Sequence, residues 1–176
     1  ICSRNDSNLE TQEQQLHPGP LIITNPTKFM NALFIPHIRD KSLMKSILSS
    51  NEAQNSYALF VHADVKGASM NDMITSQHGL DGSVFPSDKL IYSGHFHKPH
   101  TVTVGNRKKK SGVSIRYVGS PYQTSYSESG QVKSLLLVDA TQNWKCIEEI
   151  SIDIGPRYHR IPSVQSFIDD NVGEKF

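Results

Sequence analysis

Gly94-His95-Phe96-His97, at the end of the apolar run Lys89-Leu90-Ile91-Tyr92-Ser93, is where residue types and spacing come closest to chemistry. Side chains alternate along an extended backbone, so two imidazoles two residues apart point to the same side. The glycine before them has no Cβ and lets backbone and ligand approach closely. A strand ending in Gly-His-x-His therefore aims two neutral nitrogen donors at one small volume, as a bound metal or metal pair requires. His62 directly follows a second apolar run, Tyr57-Ala58-Leu59-Phe60-Val61. If the two runs are neighbouring strands, His62, His95 and His97 converge at the carboxyl ends of strands, where ligands bind in α/β folds. His17, His37, His78, His100 and His159 are read as ordinary core or surface residues, with His78 and His100 at most supporting the ligands.

These elements need a scaffold, and the pattern supplies one. Leu21-Ile22-Ile23 reads as a short strand paired in a hairpin with Asn31-Ala32-Leu33-Phe34-Ile35-Pro36. Asp40 is a helix cap, and Leu43, Met44, Ile47 and Leu48 recur at helical spacing behind it. Tyr57–Val61 and Leu90–Tyr92 have the continuous apolar character of strands buried on both faces. Thr101–Val104 and Val113–Val118 alternate as an antiparallel pair, and residues 134–138 and 146–152 form a last hairpin. Helix-then-strand early and hairpins late predict an α/β fold, a layered β-sandwich with an antiparallel edge. Residues 1–20 read as a polar loop, 21–154 as the domain, and 155–176 as the start of an extension or linker.

Composition narrows the partners. Eighteen Lys and Arg against seventeen Asp and Glu leave a net charge of +1, so no global field recruits a polyanion. The hydrophobic fraction of 36% and the mean hydropathy of −0.42 call for extensive polar loops. Cys2 and Cys146 have no partner spacing, which suits a reducing, intracellular setting in the cytoplasm or nucleus. No apolar run approaches a membrane span. The one dense charge cluster is Arg107-Lys108-Lys109-Lys110, in the loop between two strands, where it can meet a phosphate backbone. Tyr122 and Tyr126, after Gly119-Ser120-Pro121, either stack in a substrate groove or belong to an ordered turn.

Three blocks taken together carry a resemblance: Phe60-Val61-His62, then Ile91-Tyr92-Ser93-Gly94-His95-Phe96-His97-Lys98-Pro99, then Tyr117-Val118-Gly119-Ser120-Pro121-Tyr122-Gln123. In this order they resemble the calcineurin-like metallophosphoesterases, and most of all the SbcD-type and phage recombination nucleases, across roughly residues 21–154. The resemblance implies a two-metal phosphodiester hydrolase, typically with Mn²⁺. His62 and His95 would then bind one ion and His97 the other. It further implies DNA as substrate, an SMC-like ATPase subunit as partner, and a homodimer of the full-length form.

The departures are as informative. The early family motifs Asp-x-His and Gly-Asp-x-x-Asp, which supply the bridging carboxylate, do not occur in this sequence. Where the third motif, Gly-Asn-His-Asp, is expected, the chain has Ser3-Arg4-Asn5-Asp6, and no role passes to these residues. Three histidines without a carboxylate do not hold two cations close together, because nothing offsets the repulsion. The expectation is therefore the histidine half of a site, inactive by itself. The alternatives are a non-catalytic scaffold that binds a partner or nucleic acid, and a phosphomonoesterase or protein phosphatase on the same fold.

Overall fold

The computed structural model describes residues 22–71, 73–105, 112–161, 163–165 and 168. Its elements are β1 (Thr27–Phe29), β2 (Ala32–Phe34), α1 (Lys41–Leu48), α2 (Asn51–Gln54), β3 (Ala58–His62), β4 (Leu90–Gly94), β5 (His100–Val104), β6 (Val113–Tyr117), β7 (Lys133–Asp139) and β8 (Lys145–Ile152). The first six strands form one sheet in the order β1-β2-β3-β4-β6-β5. Strands β2, β3, β4 and β6 run parallel, and β1 and β5 close the two edges antiparallel. The protein is thus α/β, as its pattern predicts, with β7 and β8 forming a separate antiparallel hairpin.

Alternation along the parallel strands sorts two cores. Leu33, Leu59, Val61, Ile91, Val113, Ile115 and Tyr117 pack on the face covered by α1, against Met44 and Leu48. Asp40 starts that helix by accepting from the backbone N–H groups of Ser42 (2.7 Å) and Leu43 (3.2 Å). On the opposite face Ala32 and Ala58 make room for Trp144, from the turn between β7 and β8. Its ring stands edge-on to Phe34 and Phe60, at 5.6 and 5.3 Å, and its indole N–H donates to Asn31 Oδ1 at 2.8 Å. The Tyr92 hydroxyl donates to the Trp144 carbonyl at 2.9 Å, so the last hairpin is tied to the sheet by both ends of one residue.

One strand pairing differs from expectation. The antiparallel partner of β2 is Thr27–Phe29 rather than the expected run, of which Leu21 lies outside the described residues; Ile22, 80% exposed, and Ile23 are outside any strand. The two-residue turn Met30-Asn31, with Met30 at φ 52°, brings Phe29 opposite Ala32 directly, whereas a hairpin from residue 23 must close a longer loop. Thr27-Lys28-Phe29 is exposed throughout and carries no burial pattern to read. Cys146 is a free thiol, and no helix among the described residues is long and apolar enough to cross a membrane.

Candidate metal centre

Strands β3 and β4 are parallel neighbours, and their register places His62 opposite Gly94. The expected adjacency therefore holds, and it explains the glycine. A Cβ at position 94 would lie 2.7 Å from His62 Nδ1, so only glycine leaves the imidazole its place. The next residue, His95, has φ 92°, a conformation that a side-chain-bearing residue seldom adopts. That turn swings the His95 ring toward β3, with its centre 5.4 Å from that of His62.

His37, read from sequence as ordinary, belongs to this cluster. Its ring centre is 5.2 Å from His62 and 6.3 Å from His95. Its Nδ1 sits 3.4 Å from the His62 carbonyl oxygen. The three rings border a cavity of about 220 Å³, together with Asp64, Arg39 and Lys41. Burial pushes the His62 pKa down, and the neighbouring His95 and His37 push it further, so its ring stays a neutral donor. The chain after His62 is pinned from two strands. The Ser93 hydroxyl accepts from Ala63 N–H at 3.3 Å, and the buried Tyr117 hydroxyl donates to Ala63 O (2.9 Å) and accepts from Val65 N–H (3.1 Å).

His97 behaves differently from the alternation argument. The strand ends at Gly94 and His95 leaves extended geometry, so the rule that residues two apart share a side no longer applies. His97 turns to a second group: its Nδ1 lies 3.1 Å from Glu128 Oε1 and 2.8 Å from the Thr124 hydroxyl. A ring whose Nδ1–H is taken by a carboxylate keeps Nε2 as a free lone pair, the way histidine ligands of metals are held. The same Glu128 receives Lys133 Nζ on its other oxygen at 2.7 Å, with both side chains almost fully buried. Lys133 also donates to the His97 carbonyl (2.8 Å), to Ser120 Oγ (3.0 Å) and to Gln131 Oε1 (3.1 Å). Burial raises the Glu128 pKa, but hydrogen bonds from Lys133, Thr124 and His97 outweigh it and hold the carboxyl well below the usual range.

The Gly-Ser-Pro block serves this network. Gly119, at φ 80°, passes so close to Pro99 that a Cβ there would meet Pro99 Cγ at 2.7 Å and the His97 carbonyl at 2.9 Å. Ser120 then donates to Glu128 Oε2 at 3.1 Å. Tyr126 opens the short 3-10 turn that carries Glu128, and Arg160 lies over its ring at 5.6 Å. Of the supporting candidates, His100 is structural: it stacks on Tyr117 at 4.8 Å and accepts from Ser69 N–H at 2.9 Å. His78 contributes its carbonyl to Lys41. The basic stretch Arg107–Lys110, His17, Arg4 and Asn5 lie outside the described residues.

The donor set suits one cation rather than two. Neutral imidazoles are ligands for Zn²⁺, Mn²⁺ or Fe²⁺, but among the described residues no carboxylate completes a ready-made metal group with them. Among the described residues, no three His, Cys, Asp or Glu side chains stand as they lie at metal-holding distances. Set against family models, curated proteins and solved structures, the chain matches none.

Proposed function

We propose that this chain carries the histidine side of a two-metal phosphodiester hydrolase of the calcineurin-like metallophosphoesterase kind, on its SbcD-type nuclease branch, acting on DNA with Mn²⁺. The observation that supports it most is the meeting of His62 and His95 across adjacent parallel strands, at ring centres 5.4 Å apart. The hairpin layer docked through Trp144 on the far face of the sheet agrees with a layered sandwich. His62 and His95 would hold one ion and His97 the other. Bound divalent ions polarise a phosphoryl oxygen and lower the pKa of an attacking water.

The chain's own contribution is positioning. Gly94 leaves the His62 ring its room, and Ser93 with Tyr117 fixes the backbone that follows it. Glu128 and Thr124 set the His97 tautomer, so that Nε2 faces outward as the donor. His97 is 54% exposed in its side chain, which leaves that nitrogen accessible to a large substrate.

The test is hydrolysis of duplex DNA by the full-length protein with Mn²⁺ as the added metal. Activity is expected with the native sequence and is abolished by His95→Ala. Undiminished hydrolysis by His95→Ala refutes the assignment. Absence of hydrolysis by the metal-loaded native protein, with DNA binding retained, returns the chain to the reading of a non-catalytic scaffold.

A further inference from the structure

Three neighbouring parallel strands, not two, lead into a histidine at the same edge of the sheet. After β2 ends at Phe34 the chain continues through Ile35 and Pro36 to His37, β3 ends at His62, and β4 gives way to His95. The register Phe34↔Phe60 sets position 36 opposite His62, so His37 projects one residue beyond it. From this we infer that His37, His62 and His95 together bind one divalent ion of the Zn²⁺, Mn²⁺ or Fe²⁺ class. The inference rests on the proposed function and deepens its ligand set: His37 is the third donor beside His62 and His95.

The spacing fits. An ion ~2.1 Å from each ring nitrogen lies ~3.2 Å from each ring centre, so three tetrahedrally disposed imidazoles have centres ~5.2 Å apart. The observed separations are 5.2, 5.4 and 6.3 Å. The two pairs that include His62 match, and closing the His37–His95 pair by ~1 Å takes small χ1 and χ2 changes that bring the three lone pairs onto one point. His62 Nδ1 is turned against Gly94, and His37 Nδ1 toward the His62 carbonyl, which leaves Nε2 on each as the donor. Asp64 borders the same cavity and supplies the negative charge that three neutral rings lack. Its Oδ1 is buried with no hydrogen-bond partner among the described residues, the state expected of a carboxylate whose counter-charge is a cation. Arg39 and Lys41 share the rim, so an anionic group on the ion's open position meets opposite charge.

The experiment titrates the 176-residue chain with Zn²⁺ and with Co²⁺ alone, by calorimetry and by the visible bands of tetrahedral Co²⁺. One equivalent is expected. His37→Ala and His37→Phe, the second keeping the ring stack without its nitrogens, each weaken binding by at least the ~10–100-fold that loss of an outer partner costs. His159→Ala, at an exposed position with no part in either site, leaves the affinity unchanged. Long-range ¹⁵N spectra of the imidazoles then show the His37 Nε2 resonance moving with the first equivalent. Native affinity in His37→Phe overturns the inference. If His62→Ala and His95→Ala still lose the ion in that case, the two-strand centre of the proposed function survives while His37 leaves it; if they too bind normally, both readings fall.

Discussion

Lys133→Met isolates the buried charge pair that holds His97. In the native protein Lys133 Nζ reaches Glu128 Oε2 at 2.7 Å and three further acceptors, and neither side chain is more than 5% exposed. Removing the cation leaves Glu128 buried and uncompensated, which costs about 3–5 kcal/mol. At ~2–4 °C per kcal/mol for a domain of this size, the melting midpoint falls by roughly 6–20 °C. The sign of the pH dependence separates this cause from plain packing. In the native protein the Glu128 pKa is depressed, so its contribution is full above the ordinary value of 4.5 and fades as pH falls toward the depressed one. In Lys133→Met the largest of the bonds that oppose burial is gone, so the carboxyl pKa rises from its native position and the penalty shrinks on acidification as the group protonates. Urea unfolding across pH should therefore show a large difference near neutrality that narrows below about pH 4.5. Adding Glu128→Gln to Lys133→Met should recover part of the loss, because no charge is left buried. A difference under about 1 kcal/mol, or one that is flat with pH, refutes the account.

Gly94→Ala places a Cβ 2.7 Å from His62 Nδ1 and must displace that ring. Zn²⁺ affinity should drop ~10–100-fold while stability changes by less than about 1 kcal/mol, and an unaltered binding isotherm would show that the ring accommodates the methyl elsewhere. Replacing Arg107, Lys108, Lys109 and Lys110 by Ala should weaken DNA binding by the full-length protein and lower the slope of log affinity against log salt by up to about 3–4. An unchanged slope removes these four residues from the DNA contact.

How much of the fold was readable depends on how each strand is buried. Leu59, Val61, Ile91, Ile115 and Tyr117 face one core, while Ala58, Phe60 and Tyr92 face the other, so the central strands read directly as apolar runs. Asp40 announces α1 because capping is chemistry between near neighbours. Strand β1 gives no such signal: its three residues are exposed, and only the turn at Met30-Asn31 commits them to pairing. Glu128 and Lys133 were equally silent. Within Tyr126–Lys133 they look like members of a polar loop, and their burial follows from how the 3-10 turn meets the start of β7, a relation that no local pattern carries.

The site shows the same division more sharply. Alternation predicted that His95 and His97 share a side, and it failed because Gly94 ends the strand and His95 takes a positive φ, so the two rings enter different groups. The signal that would have brought in His37 was nevertheless present. Leu33-Phe34-Ile35-Pro36-His37 repeats, one residue longer, the plan of Leu59-Phe60-Val61-His62: an apolar strand that runs into an imidazole. In a parallel sheet, adjacent strands with the same terminal residue deliver it to the same edge, so the repetition is a geometric statement and not merely a similarity of composition. What the sequence lacks is the pairing order, and order decides everything here. With β2 and β4 on either side of β3, His37, His62 and His95 become neighbours. With β6 between β3 and β4, the rings of His62 and His95 would be two strand spacings apart, roughly 10 Å, beyond the reach of one ion.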